Sequence, residues 1–145
     1  MIWYNNTLPD VAAANAWSAN TLVETLDIRI EAIDENSLTG SMPVDNRTHQ
    51  PYGILHGGAS VALAETLGSV GAALTVDASR YRVVGLDINA NHVRPTREGR
   101  VTAVATPHHL GRTTQVWGIE QRNEAGKLTC ISRITMAIID SRPDA

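Results

Sequence analysis

The stretch YGILHGGASVALAETLGS, residues 52–69, decides how the chain can fold, because a helix begins inside it. Apolar side chains recur from this point at intervals of four, three and four residues. They are Leu63, Leu67, Val70 and Leu74. Such a stripe is typical of a helix that buries one side. The sequence therefore predicts one long helix over residues 57–77.

On both sides of this helix the hydrophobicity alternates with a period of two, which is typical of strands with one buried face. Before the helix, Leu26–Glu31 and residues 37–44 alternate around a turn at 34–36 and predict a hairpin. After it, strands are predicted at residues 82–95, 100–108, 113–122 and 127–139. One helix with five or six strands cannot form a doubly wound sheet. We therefore predict an α+β fold in which an antiparallel sheet wraps around the helix.

Length and composition limit the class of protein. The chain has 145 residues, the size of one domain, which we expect to span residues 1–145. A formal net charge of −3 without a basic cluster argues against a nucleic-acid partner. No apolar run reaches the ~20 residues of a membrane span. The lack of a signal-peptide pattern and the single cysteine, Cys130, predict a cytoplasmic location.

The side of the helix away from the leucines carries one charged residue, Glu65. Glu65 lies about 200° around the helix from Leu63, and Ser69 shares its face one turn later. Small residues near this face predict that a ligand or another backbone can approach closely. They are Ala62, Gly68, Gly71, Ala72 and Ala73. A lone acid in an alanine-rich helix is also common on solvated surfaces, so this pattern alone leaves the role of Glu65 open.

The start of the helix is the second candidate feature. The first N–H groups of a helix have no intrahelical acceptor, and glycine at 57 and 58 leaves them accessible. Such donors can stabilise a developing oxyanion. His56 precedes them and Gln50 lies in the adjoining polar loop, although each alone is also an ordinary loop residue. A free amide, an amide side chain, a carboxylate and a hydroxyl together suggest acyl-transfer hydrolysis.

These residues form the pattern Q-x5-HGG-x6-E-x3-S, and with it the chain resembles the hotdog-fold acyl-CoA thioesterases. The likeness extends over nearly the whole chain, through segments such as LDIRIEAID, VGLDINANHVR and HLGR. A glutamate in the helix is similar to the branch that includes bacterial aryl-CoA thioesterases. The resemblance implies a hotdog fold and hydrolysis of acyl-CoA, with aromatic acyl groups preferred. It implies no cofactor, since CoA is part of the substrate.

The resemblance also implies a role for each residue of the pattern. Glu65 would be the nucleophile or general base, and Ser69 would hold the attacking water. The Gly57 amide would polarise the thioester carbonyl, with His56 supporting that helix start. Gln50 would orient the thioester or the water.

For the CoA arm the resemblance implies three further segments. Their residues are Val84, Gly85, Asn91, His92, Arg94, His109, Gly111, Arg112 and Thr113. Arg94 and Arg112 are the expected phosphate partners, because guanidinium grips phosphate oxygens bidentately. No metal is expected, because the five histidines show no zinc-site spacing.

Helix geometry predicts a homodimer. Gly57 and Glu65 are eight residues apart, or about 12 Å along one axis, whereas reacting atoms must come within roughly 3–3.5 Å. Two helices related by a twofold axis would bring Glu65 of one chain opposite Gly57 of the other, which gives two shared sites. The resemblance implies that such dimers pair into homotetramers.

Three alternatives stay open at this stage. A hotdog hydratase or dehydratase would use a similar acid, and a non-catalytic acyl-CoA sensor would use the same fold. Thioesters of an acyl carrier protein are a second possible form of the substrate.

Overall fold

The computed structural model describes residues 1–141, so the last four residues of the predicted domain lie outside it. A 3-10 turn at Tyr4–Asn6 and two short helices, α1 (Val11–Ala16) and α2 (Leu22–Thr25), precede the sheet. The long helix is α3 (Gly57–Leu74). The strands are β1 (Arg29–Ile33), β2 (Leu38–Pro43), β3 (Tyr81–His92), β4 (Arg100–Leu110), β5 (Thr114–Arg122) and β6 (Leu128–Asp140).

All six strands form one antiparallel sheet in the order β1-β2-β4-β5-β6-β3, and α3 packs against it. Leu63 and Leu67 of the predicted stripe are fully buried, in the same core as Met42, Trp117 and Ile134. Burying each leucine side chain contributes roughly 1.5–3 kcal/mol, so the stripe is what holds the helix to the sheet. The predicted architecture of a long helix wrapped by an antiparallel sheet is confirmed.

The small residues predicted to allow a close approach to the helix are in part used by the sheet. Ala72 is fully buried, and two of the four glycines of α3, Gly68 and Gly71, pack against the sheet. A Cβ on Gly68 would lie 2.5 Å from Cγ2 of Ile134, and a Cβ on Gly71 would lie 3.0 Å from the Trp117 ring. These small residues let the helix approach the strands closely.

The first strand begins three residues later than its alternation predicts. Leu26 ends α2 in a helical conformation, and Asp27 has a φ of 52°. The Asp27 carboxylate accepts hydrogen bonds from Arg29 (2.6 Å) and from Arg100 on β4 (3.0 Å). Although burial raises the pKa of Asp27, these two guanidinium groups outweigh it and lower the pKa below its ordinary value. The turn is thus stabilised by contacts that a local pattern does not contain.

The candidate site lies against strand β3. This strand is at one edge of the sheet and pairs only with β6. Its register with β6 shifts between Gly85 and Asp87, which marks a β-bulge. Val84 and Leu86 on this strand are exposed. A twelve-residue edge strand of this kind presents a row of backbone groups that can pair with another chain.

Candidate active site

The amino terminus of α3 holds a free backbone donor. His56 is the N-cap in an extended conformation, and its Nδ1 accepts a hydrogen bond from the Gly58 N–H at 2.8 Å. In the neutral imidazole this leaves the proton on Nε2. The Gly57 N–H makes no hydrogen bond within residues 1–141. It therefore lies at the positive end of the helix dipole as an available donor.

The loop before α3 is fixed at both ends. Thr48 is buried, its hydroxyl donates to the Pro43 carbonyl at 2.8 Å, and its own carbonyl accepts from the His56 N–H at 2.8 Å. At the loop start, Asp45 pairs with Arg47 at 2.6 Å, and this hydrogen bond lowers the pKa of Asp45 to about 2. These bonds hold His56 in its capping position.

A cavity of about 480 Å³ opens beside the free amide. It is lined by Gln50, Ile54, Leu55, Gly57, Ser60, His92, Val93, Arg94, Pro95, Thr96 and Thr129. The Gln50 Oε1 accepts from the Tyr52 N–H, and its Nε2 makes no hydrogen bond within residues 1–141. The structure therefore brings Gln50, Gly57, His92 and Arg94 of the predicted residues together in one cavity.

The candidate acid lies against the edge strand. A Cβ on Gly85 would come within 2.6 Å of the Glu65 Oε1, so only glycine allows the carboxylate to take this position on β3. Sequence reasoning assigned Gly85 to the CoA arm and missed this contact. The two residues are twenty positions apart, and no local signal joins a helix acid to a glycine of a later strand.

Glu65 and Ser69 line a second cavity, of about 310 Å³, between α3 and the amino-terminal helices. Sequence reasoning missed its other walls. They are Trp17, Ser18, Thr21, Val23, Thr66 and Val70. The available signal was a tryptophan at the end of an alanine-rich helix, where its neighbours in sequence are too small to cover the indole.

Within one chain, the residues around Gly57 and the residues around Glu65 line two separate cavities. Glu65 contacts β3 at Gly85, whereas a Cβ on Gly57 would lie 2.9 Å from the His92 ring. Gly85 and His92 are seven residues apart on β3, which corresponds to roughly 20 Å. The acid and the free amide are therefore at opposite ends of the edge strand.

The predicted CoA-binding residues divide between the same two ends. Thr114 pairs with Ala137, which pairs with Val84, so the β4–β5 turn lies at the Gly85 end of β3. This end holds Val84, Gly85, His109, Gly111, Arg112 and Thr113, and the other end holds Asn91, His92 and Arg94. Arg94 and Arg112 are exposed, and neither forms an ion pair within residues 1–141.

Among the 141 residues that the structure describes, no group of three histidine, cysteine, aspartate or glutamate side chains is placed to hold a metal ion. The absence of a cofactor stays a prediction. In the same part of the chain, no helix combines the length and apolar character needed to cross a membrane.

Comparison with known proteins shows which protein family the chain belongs to. Residues 52–130 match the thioesterase superfamily. The 1,4-dihydroxy-2-naphthoyl-CoA hydrolase of Escherichia coli is 52% identical over 139 residues, which cover 96% of this chain and all of that one. The proofreading thioesterase EntH of Cronobacter turicensis is 46% identical, covering 96% of this chain and 99% of its own.

A solved structure extends the likeness to the fold. A variant of thioesterase PA1618 from Pseudomonas aeruginosa superimposes with a TM-score of 0.94 and 54% identity, covering 97% of this chain and 99% of that chain. Fold and comparisons together define a thioester hydrolase. The chain belongs to the thioesterase superfamily, as its resemblance to hotdog-fold thioesterases predicted.

Proposed function

We propose that the protein hydrolyses acyl-CoA thioesters, preferably with aromatic acyl groups, to the free acid and CoA. The observation that carries this proposal is that α3 supplies both a free Gly57 N–H and a carboxylate, Glu65, each against the same edge strand. The preference for an aromatic acyl group is supported by the Escherichia coli relative, which is named for the hydrolysis of a naphthoyl-CoA.

The chemistry follows from what each group can do. The thioester carbonyl oxygen accepts a hydrogen bond from the Gly57 N–H, which stabilises negative charge as it develops there. Glu65 either takes a proton from water held by Ser69 while the water oxygen bonds to the carbonyl carbon, or bonds to that carbon itself. Collapse of the tetrahedral intermediate breaks the C–S bond and releases CoA as a thiolate. On the water route the thiolate takes up the proton that Glu65 removed from water, and the acid is already formed. On the covalent route the product is an anhydride of Glu65 and the acyl group, which water then hydrolyses to release the acid and restore the carboxylate. The Gln50 Nε2 orients the carbonyl or the water.

Glu65 and Gly57 are too far apart to act together in one chain. Pairing β3 with the β3 of a second copy would bring Glu65 of one chain close to Gly57 of the other. An antiparallel pair about a twofold axis places the Gly85 end of one strand beside the His92 end of the other, with the strands about 4.8 Å apart. Glu65 of one copy then lies beside Gly57 of the other. We therefore propose a homodimer with two shared sites, which tetramers of two dimers would preserve.

The β-bulge of β3 supports the register that the proposed dimer needs. Opposite residues of an antiparallel pair point to the same side of the sheet, whereas residues seven apart on a regular strand point to opposite sides. The bulge between Gly85 and Asp87 removes the mismatch, so that Gly85 and His92 both face α3. In the proposed dimer the twofold axis passes beside Asn89, which lies midway between Gly85 and His92 in the ladder with β6.

In this dimer Arg112 of one copy and Arg94 of the other lie at the same end of the site, where we expect them to bind the CoA phosphates. Arg94→Ala and Arg112→Ala should each raise KM for a CoA thioester several-fold, because each removes a charge-assisted contact. The same acyl group on N-acetylcysteamine, which has no phosphates, should show little change. Equal effects on both substrates would place the arginines outside the CoA site.

The proposed activity is tested by incubating the protein with benzoyl-CoA and a thiol reagent that reports free CoA. Release of CoA together with benzoate is the expected result. Benzoyl-CoA has no isolated double bond to hydrate, so a hydratase would leave it intact but would convert crotonyl-CoA. A protein that only binds acyl-CoA would release no thiol from either substrate.

A further inference from the structure

The cavity that borders Glu65 has walls suited to an apolar group. Trp17, Val23 and Val70 line it, and the hydroxyl of Thr66, which also lines it, donates to the Ala62 carbonyl at 2.7 Å. The Thr66 hydroxyl therefore uses its proton in a hydrogen bond within α3 and does not donate it to a ligand. The volume of about 310 Å³ is at the lower end of the roughly 300–1,000 Å³ of small-molecule sites. Such a space suits a compact group rather than a long chain.

On α3, the polar boundary of this cavity is formed by Glu65 and Ser69. Ser18 and Thr21 line the opposite wall, where the Thr21 hydroxyl donates to the Ser18 carbonyl at 2.6 Å. Besides its carbonyl oxygen, the thioester carbon carries the aryl or alkyl group of the acyl part and the sulfur of CoA, and each of these two needs a place beside the site. The cavity beside the free Gly57 amide, which has Gln50 and Arg94 on its walls, suits the polar CoA side. The apolar cavity is thus left for the acyl group.

The largest apolar side chain that lines this cavity is Trp17, at the end of α1, and 56% of its surface is exposed. Its support is rigid, because the Asn15 side chain donates to the Ile30 carbonyl at 2.9 Å and accepts from the Ile30 N–H at 2.8 Å. An exposed indole held in place beside an apolar cavity offers a flat face for stacking.

We propose that this cavity binds the acyl group and that Trp17 is a specificity-determining residue, which stacks on an aromatic acyl ring. The proposal rests on the proposed function, since it concerns the same site. It adds to that function a reason for aromatic preference that lies in the amino-terminal helices rather than in α3.

The test compares Trp17→Leu with Trp17→Phe on three substrates: benzoyl-CoA, cyclohexanecarbonyl-CoA and acetyl-CoA. Stacked aromatic pairs contribute about 0.5–1.5 kcal/mol, which corresponds to a factor of roughly 2–13. Trp17→Leu should therefore lower kcat/KM for benzoyl-CoA about three- to tenfold relative to the saturated ring of similar size. Acetyl-CoA, whose methyl group has no ring to stack on the indole, should lose less activity than benzoyl-CoA. Trp17→Phe should restore most of the preference for benzoyl-CoA.

Each other outcome overturns the proposal in its own way. Equal losses on all three substrates would mean that Trp17 only supports the structure of α1, and unchanged selectivity would mean that it does not touch the ring. If the wild-type protein hydrolysed none of the three, the proposed function would fail together with this inference. Wild-type hydrolysis with unaltered selectivity in Trp17→Leu would reject this inference alone.

Discussion

Glu65→Gln lowers kcat for benzoyl-CoA by about 10³-fold, because an amide can neither accept the proton of water nor attack a carbonyl carbon. The substitution keeps the shape of the side chain, so its fit against Gly85 is retained. KM should change little, since the acid interacts with the reacting carbon rather than with CoA. Steady-state kinetics with a thiol reagent measures both parameters.

The matched control is Glu120→Gln, which makes the same chemical change at an exposed strand residue paired with Arg122. This control should keep wild-type kcat, and both variants should unfold at the wild-type temperature. If Glu65→Gln kept wild-type kcat, the acid would have no part in the chemistry.

Gly57→Pro should have the next largest effect, a loss of about 10²–10³-fold in kcat, because proline has no N–H to donate to the oxyanion. The backbone tolerates the change. Gly57 is the first residue of α3, where proline is common, and His56 before it has a ψ of 132°, as a residue preceding proline requires.

Gly57→Ala separates the lost donor from the added bulk. It places the same Cβ near the His92 ring, which is exposed and can shift, and it keeps the N–H. Alanine should therefore lose far less activity than proline. Similar losses in the two variants would show that space beside His92 matters and that the N–H does not.

The sequence predicted most of the fold because periodicity is local. The stripe through Leu63 and Leu67 and the alternating strands report which face of each element is buried. The neighbours across that buried face were not predictable. Gly71 lies under Trp117, forty-six residues later, and only the packed sheet shows that the glycine is needed there.

The candidate site also has a part that the sequence predicted and a part that it did not. His56, Gly57 and Glu65 stand out because glycines at a helix start and an acid in its middle are locally unusual. The contact between Glu65 and Gly85 depends on the register of β3, and the exposed face of Trp17 depends on how α1 docks on β1. Both are set by tertiary contacts, which spacing along the chain does not encode.

The shared site is tested most directly by mixing the two inactive variants, Glu65→Gln and Gly57→Pro, after dissociation and reassembly. In a mixed dimer one site carries both substitutions and the other carries neither. Random pairing makes about half of the dimers mixed, so about a quarter of wild-type activity should return. Each variant reassembled alone should stay inactive, and wild-type protein taken through the same steps sets the full value. If the mixed dimers form and stay inactive, Glu65 and Gly57 do not act across the dimer interface.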